Sequence, residues 1–177
     1  VVVDVDTGDI LSMANAPTYN PNSFGNDPNV RRNRSVQDVF EPGSVIKPFI
    51  LGAALDEKQL NSSTPIDCEG GVWYVGRSRI RDDHPHDVVT ASEVVKYSSN
   101  IGTAKIALDL GAENVLNYLH DFGFSERTDV PLPGERTGFM RSVEKIKPIE
   151  LATTSYGQGM TVTALQLAMA TAAIANG

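Results

Sequence analysis

The sequence predicts an α+β chain in which helices dominate and the clearest strands form an opening hairpin. Two patterns support this class. The first residues alternate between valine and polar side chains, and later segments repeat apolar residues at helical spacing. With 177 residues, 41% of them hydrophobic, the chain has the size and composition of one domain, or of a large part of one, folded around a core.

The charge balance and the cysteine content narrow the function classes. The chain has 15 basic and 22 acidic side chains and a net charge of -7. Its longest basic run is Arg31-Arg32, so a dedicated nucleic-acid or anionic-membrane surface is not expected. Cys68 is the only cysteine, which excludes an intrachain disulfide. The longest mostly apolar stretch, 165–175, is shorter than the roughly 20 residues that span a bilayer.

The N-terminal third is predicted to combine a hairpin, a long connection and a helix. Valines alternate with aspartates over residues 1–6, and the turn-forming Thr7-Gly8 pair precedes a second apolar run, which predicts a β-hairpin. Residues 16–34 are rich in Asn, Pro, Ser and Gly without an apolar period, so we expect a long surface connection. Helical spacing begins at Ser44. Because the first residue is valine rather than methionine, we expect a fragment of a longer protein.

The middle of the chain is predicted to be irregular. Residues 61–89 carry turn formers, and we expect one or two short strands there. A helix follows, because Thr90 and Glu93 form a capping box in which each side chain satisfies a backbone N–H group of the other residue. This helix is expected to stop near Tyr97.

Three further helices are expected in the second half of the chain. Two should end at Gly111 and Gly123, since glycine suits the positive φ that often closes a helix. A last helix should begin after the capping box of Thr163 and Gln166. The predicted helical ranges are 101–110, 112–122 and 164–175.

The sharpest local pattern is EPGSVIK over residues 41–47. Its proline and glycine form a tight turn before a helix, and Lys47 follows Ser44 at i+3, so the hydroxyl and the amine share one face. A lysine can remove the serine proton only when its amine is neutral. Lowering the lysine pKa from about 10.4 to near 7 requires about 4 to 5 kcal/mol, which a closed cleft can supply.

Two further features of this segment point to acyl chemistry. Unpaired N–H groups at the helix start would face the oxyanion that forms when Ser44 attacks a carbonyl. Pro48 disfavours a helical conformation at Lys47, and local rules tend to fail at functional sites. Alone, however, Ser-x-x-Lys is also the common combination of a helix cap and a surface lysine.

A second polar segment, Ser98-Ser99-Asn100, lies between two predicted helices. A connecting loop there can present a hydroxyl and a carboxamide to a cleft, as a proton relay and a hydrogen-bonding clamp. Three consecutive polar side chains are not expected to point inward together. The alternative is that the segment only ends one helix and caps the next.

Four segments resemble one known family. They are DVFEPGSVIKP around Ser44, SSNIG from Ser98, GERTG at 134–138 and SYGQGMTVTALQLA at 155–168. Their types and order resemble the transpeptidase domain of class B penicillin-binding proteins, and among these the division-type septal enzymes are the most similar. The resemblance covers essentially the whole chain. It implies a serine β-lactamase/transpeptidase-like fold, in which a helical cluster packs on an antiparallel sheet.

The resemblance also implies an activity, that of a peptidoglycan D,D-transpeptidase that cross-links cell-wall peptides. Ser44 would be the acylated nucleophile, Lys47 its general base, Ser98 a proton shuttle and Asn100 a contact to the substrate amide. The family pattern leaves the position between Ser98 and Asn100 variable, so the resemblance implies that Ser99→Ala is mild and that Ser98→Ala or Asn100→Ala is severe. The implied partners are peptidoglycan stem peptides, β-lactam antibiotics and other division or wall-synthesis proteins, without a cofactor, a metal or nucleic acid. The implied location is extracytoplasmic, with a membrane anchor outside this chain.

The chain departs from the family pattern in one respect. The family's third element is a Lys-Thr-Gly type strand that lines the substrate and supplies an oxyanion donor, and no such tripeptide occurs in residues 1–177. We therefore expect residues 1–177 to be a partial transpeptidase domain with an incomplete sheet. We expect this piece alone to be inactive, because loss of one oxyanion donor typically slows a reaction about 100-fold to 1000-fold.

Other interpretations stay open at this point. The segment DDHPHD at 82–87 is the best metal candidate, since two histidines with flanking carboxylates can ligate a divalent cation. A Ser-His-Asp hydrolase would pair Ser44 with a histidine, but the chain lacks a Gly-x-Ser-x-Gly elbow. Cys68 is expected to be structural. Within the resemblance, a β-lactam sensor or noncatalytic wall-binding module would be acylated without an acceptor step, and a serine β-lactamase would need a group that activates the deacylating water.

Overall fold

The computed structural model describes residues 1–23, 25–57 and 59–177. Over these residues, short strands precede and connect a larger helical portion, with 3-10 turns at Pro28–Arg31, Gly43–Ile46 and Glu69–Gly71. The strands are β1 Val2–Val3, β2 Ile10–Ser12, β3 Val39–Phe40, β4 Pro65–Asp67, β5 Val72–Val75, β6 Ser78–Arg81, β7 Val88–Thr90 and β8 Val162–Thr163. The helices are α1 Arg34–Gln37, α2 Lys47–Asp56, α3 Ala91–Lys96, α4 Asn100–Leu110, α5 Ala112–Asp121, α6 Pro148–Ser155 and α7 Ala164–Asn176.

The strands pair antiparallel in sheets of two. The pairs are β1 with β2, β3 with β8, β4 with β7 and β5 with β6. Helices and antiparallel strands thus occur together, which confirms the predicted α+β class with an incomplete sheet. In the described part of the chain, no helix is both long enough and apolar enough to cross a lipid bilayer.

The chain divides into two compact units, and the first holds both ends of the chain. In this unit α7 contacts β1 and α1. Buried Gln166 of α7 donates through its Nε2 to the carbonyls of Glu126 and Thr137, at 2.7 and 2.8 Å. Its side chain therefore ties the loop segments of this unit to the last helix. The unit comprises Val1–Phe40, Phe122–Phe139 and Val162–Gly177.

The second unit, Glu41–Asp121 with Met140–Thr161, is built around α4. Helices α2, α3, α5 and α6 all contact α4, and this explains why most residues of α4 are buried. The hairpin β5–β6 packs on the same core through Trp73, Val75 and Ile80. The starts of α2 and α4 and the end of β6 are thereby fixed in one packed body.

Most helix boundaries agree with the sequence predictions. Both capping boxes form, with Thr90 and Glu93 at α3 and with Thr163 and Gln166 at α7. Gly111 follows α4 with a φ of 82°, as expected of a closing glycine. The opening hairpin is also confirmed by the pairing of β1 with β2.

The prediction for residues 61–89 is wrong in its strand content. The structure forms four strands there, β4 to β7, rather than one or two. Each has only three or four residues, which is too short for alternation to stand out. Helices α1 and α6 have no counterpart among the predictions.

The predicted connection 16–34 is largely irregular, as expected, up to the cap of α1 at Asn33. Phe24 of this connection lies outside the described residues. The helical segment predicted from Ser44 ends at Asp56, and Lys58, which follows it, also lies outside the described residues.

Candidate active site

Ser44 lies in the 3-10 turn that leads directly into α2. The turn spans Gly43–Ile46 and α2 begins at Lys47. Because residues i and i+3 of a 3-10 turn lie above one another, Ser44 and Lys47 share one face, as their spacing predicts. Ser44 is exposed, whereas Lys47 is only 1% exposed. The hydroxyl is therefore accessible to a ligand while the lysine side chain is enclosed by protein.

Lys47 is helical, with φ -56° and ψ -39°, although Pro48 follows it. The prediction that Pro48 disfavours this conformation is therefore wrong, for a local reason. Pro48 lies in the first turn of α2, where N–H groups have no acceptor inside the helix. The Lys47 N–H already closes the preceding turn by donating to the Ser44 carbonyl, so the missing proline N–H leaves that carbonyl satisfied.

The Lys47 amine is held by the loop Ser98-Ser99-Asn100. Its Nζ donates to the Ser98 carbonyl at 2.5 Å, to Ser98 Oγ at 2.9 Å and to Asn100 Oδ1 at 2.8 Å. An ammonium group has three donors, so these acceptors satisfy the charged amine completely. A neutral amine has two donors and one lone pair, so it can donate to only two of the three acceptors.

Burial lowers the pKa of Lys47 from 10.5 to about 8, while the negative charges of Asp82 and Asp83 oppose this by raising it. Burial acts this way because the charged amine loses its hydration. With a pKa of about 8, about one tenth of the amine is neutral at pH 7, compared with about 0.03% for an ordinary lysine. The enclosure therefore creates a usable population of neutral base.

The backbone at Ser98 adopts an uncommon conformation. Its φ is +57°, in the left-handed region that costs a residue other than glycine about 1 kcal/mol or more. In this conformation both the carbonyl and the hydroxyl of Ser98 accept from Lys47. The structure thus brings Lys47, Ser98 and Asn100 together.

Ser99 also points inward, contrary to the sequence prediction. It is 2% exposed, its Oγ accepts from the Gly102 N–H at 2.9 Å as the cap of α4, and the same hydroxyl donates to Asp82 Oδ2 at 2.5 Å. The Ser99 Oγ lies 3.3 Å from the Sγ of Cys68. Cys68 is buried and burial raises the pKa of its thiol, which agrees with a structural role. All three side chains of the loop are therefore fixed.

The segment 82–87 does not support the metal interpretation. Among the described residues, no three side chains of the metal-binding types come together. His86 instead stacks on Tyr97, with ring centroids 4.5 Å apart. Asp82 accepts from the N–H groups at the start of α4. Sequence reasoning named Asp82 only as part of the metal candidate and missed its contacts to the Ser98 loop, because its partners lie 17 to 19 residues away.

The glycine-rich segment after α6 supports the turn before Ser44. The Gly43 N–H donates to the Gly157 carbonyl at 3.1 Å, and the Gly159 N–H donates to Glu41 Oε1 at 2.8 Å. A Cβ atom at Gly157 would lie 2.1 Å from the Gly43 carbonyl oxygen, and its φ is +80°, so only glycine fits there. This close approach of two backbone segments explains why the SYGQGM motif has glycine at position 157.

The GERTG motif is explained by contacts within its own unit. Glu135 is 8% exposed and accepts from the N–H and Oγ1 of Thr128 at 2.8 and 2.5 Å. The Thr137 carbonyl accepts from Gln166. These contacts order the loop that carries the motif.

The whole chain matches one family model and several named relatives. Residues 1–177 match the model described as the penicillin binding protein transpeptidase domain. The chain is 38% identical to the probable peptidoglycan D,D-transpeptidase PenA of Neisseria gonorrhoeae and 36% identical to the peptidoglycan D,D-transpeptidase FtsI of Escherichia coli K12. Each alignment covers 99% of this chain and 30% of the relative. The chain therefore spans about 30% of the length of these relatives.

Solved structures give the same result for the fold. The TP domain of penicillin-binding protein 3 from Burkholderia pseudomallei is 36% identical with a TM-score of 0.88, covering 98% of this chain and 48% of that one. A peptidoglycan glycosyltransferase from Burkholderia ambifaria is 37% identical with a TM-score of 0.89, covering 98% and 51%. The transpeptidase-like fold predicted from the four motifs is confirmed. The chain belongs to the penicillin-binding protein transpeptidase domain family.

Proposed function

We propose that the protein carrying this chain is a peptidoglycan D,D-transpeptidase that forms an acyl-enzyme on Ser44. The relatives described above carry that name. The observation that carries the proposal is the enclosed Lys47 amine, which has a pKa of about 8 and shares one face of a turn with the exposed Ser44. This is the arrangement that a serine nucleophile with a lysine base requires.

Acylation begins on a donor stem peptide that ends in D-alanyl-D-alanine. Neutral Lys47 takes the hydroxyl proton as Ser44 Oγ bonds to the carbonyl carbon of the penultimate residue. We assign stabilisation of the resulting oxyanion to backbone N–H groups of the turn Gly43–Ile46 that carries Ser44. Its collapse breaks the C–N bond, and the proton passes from Lys47 through Ser98 to the departing amine. The donor then remains as an ester on Ser44.

The second half-reaction reverses the proton path. The amine of a neighbouring stem attacks the ester carbonyl, gives its proton to Ser98 and Lys47, and Ser44 leaves with a proton restored. Asn100 Oδ1 accepts from Lys47 Nζ, and Asn100 Nδ2 donates to the Arg81 carbonyl at 2.9 Å. A carboxamide has a second N–H and a second lone pair, so Asn100 keeps one of each for the substrate amide.

The partners that we assign follow from the chemistry on Ser44, and the cellular location follows from where peptidoglycan is cross-linked. A β-lactam presents a strained amide carbonyl to Ser44 and is held as an ester in the same way. The similarity to septal-type enzymes supports a role in wall synthesis during division, together with other division or wall-synthesis proteins. We place the protein on the extracytoplasmic side of the membrane, where peptidoglycan is cross-linked, with an anchor outside residues 1–177.

We assign residues 1–177 to one part of the catalytic domain. The absence of a Lys-Thr-Gly or Lys-Ser-Gly tripeptide and the 30% coverage of the relatives support a third active-site strand elsewhere in the full-length protein. Acylation by a penicillin should be at least about 100-fold slower for the 177-residue chain than for the full-length protein. Comparable rates would contradict this assignment.

The function is tested by mapping the acylation site in the full-length protein. A fluorescent penicillin should label the protein, and mass spectrometry of the digested adduct should place the label on Ser44. Ser44→Ala should abolish labelling, while Ser78→Ala, at an exposed serine of β6, should leave it unchanged. Transfer of a labelled donor peptide to an amine acceptor should disappear in the same variant. Label on another residue, or transfer that survives Ser44→Ala, would refute the function.

A further inference from the structure

One side of the β5–β6 hairpin packs on the core of the second unit, and the other side faces solvent. Trp73 and Ile80, which lie opposite one another in the two strands, belong to the packed side. Side chains alternate between the two faces along each strand, and cross-strand neighbours share a face. The outer hairpin face therefore consists of the two adjoining pairs, Val72 with Arg81 and Tyr74 with Arg79.

The outer hairpin face is basic, although the chain as a whole is acidic. Residues 70–81 contain Arg77, Arg79 and Arg81 and no acidic residue, while the net charge of the chain is -7. All three arginines are exposed, and among the described residues none of them forms an ion pair. The acidic residues nearest the hairpin in sequence are engaged elsewhere, Glu69 with a lysine of α4 and Asp82 with the start of α4. The positive charge of this face is thus available to a ligand.

Neither packing nor solubility explains the composition of this face. Arg79 and Arg81 are two residues apart on one face of a strand, so their Cα atoms lie about 7 Å apart, within the screening length of about 8 Å at physiological ionic strength. Their like charges repel each other without an acidic partner. Solubility would account for the arginines but not for Tyr74, which is 57% exposed beside them. Tyrosine and arginine are together enriched at the centres of binding surfaces.

The outer hairpin face ends beside the candidate active site. The Arg81 carbonyl accepts from Asn100 Nδ2 at 2.9 Å, so the last residue of β6 contacts the loop that holds Lys47. A stem peptide on Ser44 belongs to a polymer whose stems carry ionised carboxylates and whose sugar rings have apolar faces. Arginine binds carboxylates through two parallel hydrogen bonds, and the tyrosine ring offers a flat apolar surface with a polar end. The charge, the aromatic ring and the position therefore fit one ligand, the wall polymer.

We propose that the outer hairpin face binds the peptidoglycan strand that supplies a stem peptide to Ser44. Arg79 and Arg81 bind stem carboxylates away from the reacting peptide bond, and Tyr74 packs on a sugar ring. This inference rests on the proposed transpeptidase function and extends its substrate from one stem peptide to the polymer. A penicillin has neither further stems nor a glycan chain, so the hairpin contributes to the reaction of strands and not to acylation by penicillin.

The test compares two reactions of the full-length protein, cross-linking of peptidoglycan strands with free stems and acylation of Ser44 by a fluorescent penicillin. In the double variant Arg79→Gln/Arg81→Gln, kcat/KM for strands should fall about fivefold, because exposed ion pairs contribute about 1.5-fold to fivefold each. Penicillin labelling should stay within about twofold of the wild type, which also shows that the variant is folded. The matched control Arg127→Gln/Lys145→Gln removes two exposed cations elsewhere in the chain and should retain both rates.

Strands with amidated stem carboxylates test the charge pairing directly. The wild type should lose about fivefold in kcat/KM on amidated strands, whereas Arg79→Gln/Arg81→Gln should use amidated and unmodified strands equally well. Tyr74→Ala should lower kcat/KM for both kinds of strand, because the sugar rings are unchanged. A double variant that still distinguishes the two kinds of strand as the wild type does would overturn the inference.

Other results would assign the face differently. An unchanged kcat/KM for strands in Arg79→Gln/Arg81→Gln would overturn the inference, and so would an equal loss of penicillin labelling, which would show that these arginines support the catalytic site itself. Sedimentation with vesicles of phosphatidylglycerol that depends on the two arginines, together with unchanged strand cross-linking, would identify a lipid surface instead. If the wild type is not labelled on Ser44, the proposed function is refuted and the inference with it.

Discussion

The rate at which a penicillin acylates Ser44 should rise about tenfold between pH 7 and pH 9, because the neutral fraction of Lys47 rises from about one tenth to about nine tenths. This expectation follows from the pKa of about 8 that burial gives the amine. For a lysine with the ordinary pKa of 10.5, the rate would still be climbing steeply at pH 9. Relative to such a lysine, the enclosed amine has about 300 times more neutral base at pH 7.

Lys47→Ala should remove both the rate and its pH dependence. Loss of a general base typically costs about 100-fold to 10,000-fold, so acylation should become slow and nearly independent of pH over this range. Initial binding of the penicillin should change much less than the acylation step. Rapid-mixing measurements at several penicillin concentrations separate the two.

Lys96→Ala is the matched control for this experiment. Lys96 is an exposed lysine at the end of α3, two residues before Ser98, and its amine lies over the Tyr97 ring at 5.2 Å. Its removal should leave the pH profile of acylation as in the wild type. A wild-type rate that is flat from pH 7 to pH 9, or a Lys47→Ala variant that keeps the wild-type slope, would refute the assignment of Lys47 as the base.

Three further perturbations test the contacts around the site. Gly157→Ala should greatly slow acylation and lower the unfolding temperature, because the added methyl would lie 2.1 Å from the Gly43 carbonyl oxygen; a stable and active variant would contradict this contact. Ser99→Ala removes the cap of α4 and should lower the free energy of unfolding by about 1 kcal/mol in urea titrations, whereas Ser78→Ala should not. Burial depresses the pKa of Lys47 in the folded chain, so the unfolded chain binds the Lys47 proton more tightly than the folded chain does. The resulting loss of folding stability is fully present below pH 8 and disappears as the pH rises to 10.5. The stability of the wild type relative to Lys47→Met should therefore rise by up to about 3 kcal/mol over this range, and a constant difference would refute the linkage.

Local patterns predicted the structure where the interacting residues are close in sequence. Both capping boxes join residues three apart. The shared face of Ser44 and Lys47 follows from the same spacing. Helix α6 carries comparable local signals, since Pro148 starts it and the Glu150 carboxylate accepts from the N–H of Lys147, the residue just before the helix. These features depend on residues within one helical turn, so they can be recognised from the sequence without knowledge of the fold.

The features that the sequence could not predict depend on distant partners. The anchoring of the Ser98 loop by Asp82 requires the β5–β6 hairpin to lie beside α4, and nothing within a few residues of Asp82 reports that neighbour. The three side chains of this loop were not expected to point inward together, because the carboxylate of Asp82 that accepts from Ser99 comes from a distant part of the sequence. The need for glycine at position 157 likewise arises only when its backbone meets Gly43.

Two unfavourable features occur at the same place in this protein, and they have a common consequence. The depressed pKa of Lys47 means that its charged form costs the folded state up to about 3 kcal/mol at neutral pH. Ser98 adds a left-handed backbone conformation at about 1 kcal/mol or more. A methionine at position 47 would avoid the first cost, and a different loop conformation would avoid the second. Neither cost improves packing, but together they leave a buried amine that can lose its proton beside an exposed serine, which is what acyl transfer on Ser44 requires.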